Sequence, residues 1–131
     1  MKFDESLTQY GHEDTLLGIE LSNQGIQIKH IDNPLYHLGI ESNEIFLEKT
    51  VKGIENLYKL SIRFSSNSSF IQNIQLLKYY HFLKKYKLTF LVKIGFLLIK
   101  KTLYRNLTKG NKNLRFFDLY KLGKMVQLFY K

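Results

Sequence analysis

The feature that most constrains the fold is a long stretch in the second half of the chain with almost no helix breakers. Residues 70–104 contain no proline and only one glycine, Gly95, and they are rich in aromatic and apolar side chains. Because glycine and proline interrupt helices most strongly, such a stretch predicts helix. The polar segment Thr108–Asn113 breaks the pattern, and a last helix is predicted from about Leu114 to Tyr130.

The first half of the chain predicts a helix that begins with acidic residues. It should start near Glu13 or Asp14, because aspartate is a good N-cap and a carboxylate suits the positive end of the helix dipole. Gly25 is suited to the left-handed conformation that ends many helices. The spacing of the leucines predicts an apolar stripe formed by Leu16, Leu17 and Leu21.

A short strand and a second helix are predicted next. Ile26–Lys29 alternates apolar and polar residues as a strand does, and Pro34 ends the pattern. Apolar residues three and four apart predict a helix from about Glu44 to Leu60, with Ser42 or Asn43 as its cap. The predicted fold class is therefore α+β and mostly helical.

The charges divide the chain into two regions. Residues 1–56 contain 4 basic and 10 acidic side chains, a net charge of −6, whereas residues 57–131 contain 16 basic and 1 acidic, a net charge of +15. The change occurs near a serine-rich stretch, which predicts a linker over residues 61–69. The expected organisation is a first unit over 1–60 and a basic, aromatic helical tail over 70–131.

Two motifs in the first forty residues resemble a known enzyme family. The first combines Phe3-Asp4-Glu5 with Tyr10-Gly11-His12-Glu13-Asp14-Thr15-Leu16-Leu17-Gly18, and the second is Asp32-Asn33-Pro34-Leu35-Tyr36-His37-Leu38-Gly39-Ile40-Glu41. They are similar to the late acidic motif and the downstream histidine segment of bacterial, inverting family 2 glycosyltransferases. The first also resembles the Gly-Gly-Glu-Asp element that opens a helix in the galactosyltransferase-type C-terminal module. The similarity covers about residues 1–60.

The resemblance implies a fold and a chemistry. The fold is a nucleotide-sugar-binding α/β fold of the A type (GT-A). In that family an aspartate of the Glu-Asp pair deprotonates the acceptor hydroxyl, whose oxygen then attacks the anomeric carbon and inverts its configuration. By matching position, Asp14 is the expected general base and Glu13 is expected to orient the acceptor. From the residues alone, the favoured interpretation is that the acidic pair only caps the start of a helix.

The same resemblance implies binding residues and a metal. Tyr10, Gly11 and His12 are the expected substrate-binding residues, although His12 also fits a purely structural role in the turn. A divalent ion, Mn or Mg, is the expected cofactor of the full-length enzyme, with His37 as the candidate ligand and His30 as the second choice. A histidine packed in the core or in a turn is the alternative for His37.

Part of the family pattern is missing from this sequence. It contains no Asp-x-Asp, the element with which such enzymes hold the metal and the donor diphosphate. We therefore expect the chain to be the C-terminal part of a glycosyltransferase for surface polysaccharide synthesis, inactive alone. Its expected partners are a nucleotide-sugar donor and a glycan or lipid-linked acceptor in the full enzyme, a membrane surface, and either the missing N-terminal half or a second copy of the chain.

The basic tail supports an alternative of another class. Lysines interleaved with phenylalanine, tyrosine and leucine suit a helix at a membrane surface, where lysine stems extend toward the headgroups. The alternative function is thus a non-catalytic, membrane-peripheral binding module. Nucleic acid is not an expected partner, because no nucleic-acid-binding motif is present. Without a signal peptide, and with a longest apolar window of only Leu88–Ile99, the expected location is cytoplasmic, at the inner face of the bacterial membrane.

Overall fold

A computed structural model describes residues 11–27, 29, 31–34, 39, 41–66, 68–110 and 113–130. Across these residues the chain forms six helices: α1 (Glu13–Asn23), α2 (Asn43–Arg63), α3 (Ser68–Asn73), α4 (Gln75–Lys85), α5 (Thr89–Thr108) and α6 (Leu114–Phe129). The prediction of a mostly helical chain is confirmed. The β component of the predicted α+β class is not found in the described ranges.

The end of α1 explains why the predicted strand is wrong. Gly25 adopts the left-handed conformation predicted for it, with φ of 70°. The amide of Ile26 then donates to the carbonyl of Leu21 at 3.0 Å, and the amide of Gly25 donates to Ser22 at 3.0 Å. This pair of hydrogen bonds is a Schellman cap. The cap uses the amide of Ile26, and the described residues of Ile26–Lys29 belong to no strand; Ile28 lies outside the described residues.

Helix α2 begins as predicted and ends later. Ser42 caps it, because its hydroxyl accepts a hydrogen bond from the amide of Ile45 at 3.3 Å. The helix continues three residues beyond Leu60, and the hydroxyl of the buried Ser61 donates to the carbonyl of Tyr58 at 2.7 Å. Of the residues 61–69 predicted as a linker, 61–63 belong to α2, 64–66 form a turn, and α3 begins at Ser68.

The helical stretch predicted over residues 70–104 is helical in the structure, and it is divided among α3, α4 and α5. Ile74 is extended, with φ of −108° and ψ of 110°, and separates α3 from α4 while its side chain is buried. Lys87 is left-handed, with φ of 57°. It ends α4 in a second Schellman cap, in which Leu88 donates to the carbonyl of Leu83 at 2.8 Å. Lysine rarely adopts this conformation, so the sequence carried no signal for the turn.

The core is built from both halves of the chain. One buried cluster combines residues of α1 and α2 with residues of α3, α4 and α6: Leu16, Ile19, Ile54, Leu57, Leu60, Phe70, Ile74, Leu77, Tyr80, Met125 and Val126. A second cluster joins α2, α5 and α6 through Leu47, Phe96, Leu103, Leu107 and Tyr120. In α1 the buried positions are Leu16 and Ile19, whereas Leu17 and Leu21 of the predicted stripe are only partly buried. Helix α6 therefore connects the two clusters.

None of the helices in the described ranges has both the length and the apolar character needed to cross a bilayer.

Candidate functional site at the start of α1

The candidate site is built on a tight turn formed by Gly11 and His12. Gly11 has φ of 107° and His12 has φ of 74°, so two consecutive residues are left-handed. His12 is the N-cap, and its carbonyl accepts the first helical hydrogen bond from Leu16 at 3.0 Å. The predicted start of the helix at Glu13 is correct, but the capping residue is His12 rather than an acidic one. The cap uses the backbone of His12, whose side chain makes no capping bond.

Helix α2 holds this turn in place. The side-chain amide of Asn56 donates to the carbonyl of Gly11 at 2.6 Å, across 45 residues of sequence, and Asn56 is 4% exposed. A Cβ added to Gly11 would lie 3.1 Å from the Cα of Gly53. Both the positive φ and this close approach require glycine at position 11. The beginning of α1 is thus anchored on one face of α2.

Asn56 is a positioning residue that the sequence interpretation did not identify. It lies among apolar residues on the buried face of α2, where an amide is unexpected. A buried side-chain amide normally has a hydrogen-bonding partner. Its position three residues after Gly53 was the available signal, because residues three apart share a helix face. A glycine and a buried asparagine on one helix face indicate that another segment of the chain approaches α2 closely, but they do not identify that segment as the turn at Gly11.

The acidic pair occupies the first turn of α1. Glu13 is the first helical residue, and the Asp14 side chain is exposed. A carboxylate at this position is favoured by the partial positive charge of the helix N-terminus. The Asp14 carboxylate can therefore be reached by a molecule from solvent, as a general base must be.

A cleft of about 920 Å³ lies beside the turn. Gly11 and His12, two of the three predicted substrate-binding residues, contribute to its lining, together with residues of α2 and Lys121 of α6. An ion pair between Lys49 and Glu41 also lies in the lining. Asp14 is not among the lining residues. The structure thus places the turn at the cleft and the expected base on the adjoining helix.

Tyr10, His37 and the alternative ligand His30 lie outside the described residues. In the described ranges, no three histidine, cysteine, aspartate or glutamate side chains come close enough together to hold a metal ion.

A second group of titratable side chains lies away from the turn, around α4. Partial burial lowers the pKa of His81, and the neighbouring Lys84 lowers it further. Burial also raises the pKa of Tyr80, with smaller contributions from Tyr130 and Tyr58. The Tyr80 ring stacks on Phe129 at 3.9 Å and meets His81 edge-on at 5.6 Å. The stacking of Tyr80 on Phe129 belongs to the packing of α4 against α6, whereas the contact with His81 lies within α4.

Comparison with known proteins identifies no relative. No protein-family model, curated protein or solved structure matches the chain. Its function must therefore be inferred from its own residues and their arrangement.

Proposed function

We propose that this chain is the acceptor-side part of an inverting family 2 glycosyltransferase, which transfers a sugar from a nucleotide-sugar donor to a glycan or lipid-linked acceptor. The carrying observation is the Tyr-Gly-His-Glu-Asp motif at residues 10–14, which ends in a helix whose first turn exposes Asp14. The turn that precedes it is anchored on α2 by Asn56. A helix start held in this way fixes the backbone that carries the Asp14 side chain, and general-base catalysis requires a positioned base.

In the proposed reaction the Asp14 carboxylate accepts the proton of an acceptor hydroxyl. The oxygen of that hydroxyl forms a bond to the anomeric carbon, and the bond from that carbon to the donor diphosphate breaks. The electron pair leaves with the nucleoside diphosphate, and the anomeric configuration inverts. A positioned general base of this kind contributes about 10²–10⁴-fold to the rate.

The acceptor is proposed to bind in the cleft next to the turn, on the adjoining side of α1 from Asp14. Its lining combines apolar side chains, such as Phe46 and Ile54, with the hydroxyl of Thr50 and the Lys49–Glu41 ion pair. Sugars are bound by such mixed surfaces, because their hydroxyls need hydrogen bonds while their C–H faces pack on apolar groups. The donor, its diphosphate and the divalent ion are proposed to be bound chiefly by a GT-A donor half that contains the Asp-x-Asp.

The test is to fuse this chain to the donor-binding half of an active family 2 glycosyltransferase and to supply donor and a soluble acceptor. NMR of the product then gives the anomeric configuration of the new bond. The proposal expects transfer with inversion relative to the donor. Product that retains the donor configuration would refute it. So would a fusion that shows helical circular dichroism and binds donor but transfers no sugar.

A further inference from the structure

The outward face of α5 is unusually apolar for a surface helix. Phe90 and Leu91 are 57% and 64% exposed, and Leu98 is 78% exposed. Ile94 and Leu97 lie between them at helical spacing and are also exposed. The helix buries its opposite side, through Phe96, Leu103 and Leu107. This outward apolar row, here called the α5 face, consists of Phe90, Leu91, Ile94, Leu97 and Leu98.

The turn between α4 and α5 extends the same kind of surface. Phe82 and Tyr86 are each 56% exposed, and their rings lie 4.8 Å apart. Leu88 is also exposed in this turn. Aromatic side chains therefore precede the α5 face along the chain. Exposed apolar surface of this extent is typical of an interaction site.

Positive charge accompanies these apolar side chains. Lys101 and Arg105 are exposed and continue the row one and two turns beyond Leu98. Lys84, Lys85 and Lys87 surround the turn. Between Asn56 and Phe117 the sequence contains no aspartate or glutamate at all. The surface is therefore apolar along one half of α5 and cationic at both ends.

We infer that the α5 face, with the α4–α5 turn, docks on an anionic lipid surface. Helices that lie in a membrane interface combine phenylalanine and leucine on the buried side with lysine and arginine that reach the headgroups. A second copy of this chain is a poor occupant, because its equivalent surface carries the same positive charge. Lipid docking is independent of the proposed sugar transfer.

Vesicle co-sedimentation tests this inference with the whole chain. The expected result is binding to phosphatidylcholine vesicles that contain phosphatidylglycerol, and much weaker binding to phosphatidylcholine alone. Lys101→Gln and Arg105→Gln should each weaken binding to the anionic vesicles about fivefold, since each cation near such a surface contributes on the order of 1 kcal/mol. Lys52→Gln, an exposed lysine of α2, is the matched control and should bind as the wild type does.

The apolar contribution has its own matched pair. Leu97 and Ile62 are 53% and 54% exposed, but Ile62 lies on α2. Leu97→Ser should weaken vesicle binding severalfold, and Ile62→Ser should leave it unchanged, with circular dichroism confirming that both variants are folded. Equal binding to neutral and anionic vesicles would overturn the inference, as would equal binding of Leu97→Ser and Ile62→Ser. The inference would also be overturned if the wild-type chain sedimented as a dimer without vesicles and Leu97→Ser sedimented as a monomer. The sugar-transfer test uses a soluble acceptor, so either proposal can fail while the other stands.

Discussion

The contact between Gly123 and Phe96 gives the sharpest test of the packing. Gly123 is a buried residue of α6, and Phe96 is a ring of α5 that is only 1% exposed. A Cβ added to Gly123 would lie 2.6 Å from Cε2 of that ring and nearer still to Cδ2 and Cγ. Real side chains do not approach so closely, so an alanine at position 123 must displace the ring or separate the two helices.

The magnitude follows from two opposing effects. Extra volume in a packed core costs about 1–3 kcal/mol. Alanine in place of a helical glycine contributes about 0.5–1 kcal/mol in the other direction. Gly95 in α5 separates these effects, because nothing lies within 4 Å of a Cβ added there. Gly95→Ala should therefore stabilise the chain, and its difference from Gly123→Ala is the steric cost alone.

Urea unfolding followed by circular dichroism measures both variants. Gly95→Ala should have a higher free energy of unfolding than the wild type. Gly123→Ala should have a free energy of unfolding about 1–3 kcal/mol below that of Gly95→Ala. If Gly123→Ala unfolds at the same urea concentration as Gly95→Ala, with the same slope, α5 and α6 do not pack as described.

Two further predictions concern the turn and the basic half of the chain. Asn56→Ala leaves the carbonyl of Gly11 without its bond and should lower the free energy of unfolding by about 1–3 kcal/mol, and a urea midpoint equal to wild type would contradict this tether. Because folding lowers the pKa of His81, the unfolded state binds its proton more readily, so the contribution of His81 to stability is complete above pH 6.5 and is lost as the pH falls through the folded pKa. Urea midpoints measured from neutral to acidic pH should decrease less steeply in His81→Gln, and identical slopes in the two proteins would show that His81 titrates normally.

The elements predicted correctly are those with a local chemical signal. Gly25 ends α1 in the left-handed conformation, and Ser42 caps α2 through its hydroxyl. In both cases one residue type satisfies backbone groups of its own helix, so the sequence nearby is sufficient. The last helix was predicted from the polar segment that precedes it, without a prediction of its cap. Asn113 is its N-cap and accepts a hydrogen bond from the amide of Arg115.

The features that were missed depend on residues far apart in the sequence. Ile74 interrupts a segment without helix breakers, and its buried side chain belongs to the same core cluster as Val126 of α6. Burial in that cluster outweighs the small helix preference of a single residue. The tether of Gly11 by Asn56 likewise joins two helices that no local pattern connects. The acidic pair was identified by its motif. The contact by which α2 anchors the preceding turn was not predicted, although α2 itself was.

The most direct test of the account is the transfer rate of the donor-half fusion when Asp14 is replaced. Asp14→Asn keeps the size and the helix position of the side chain but removes its ability to accept a proton. The expected rate is about 10²–10⁴-fold below wild type, with the helical circular dichroism unchanged. Asp118→Asn, an exposed aspartate in the second turn of α6 that pairs with Lys121, is the control and should transfer sugar at the wild-type rate. Equal rates for Asp14→Asn and Asp118→Asn would contradict the assignment of Asp14 as the base.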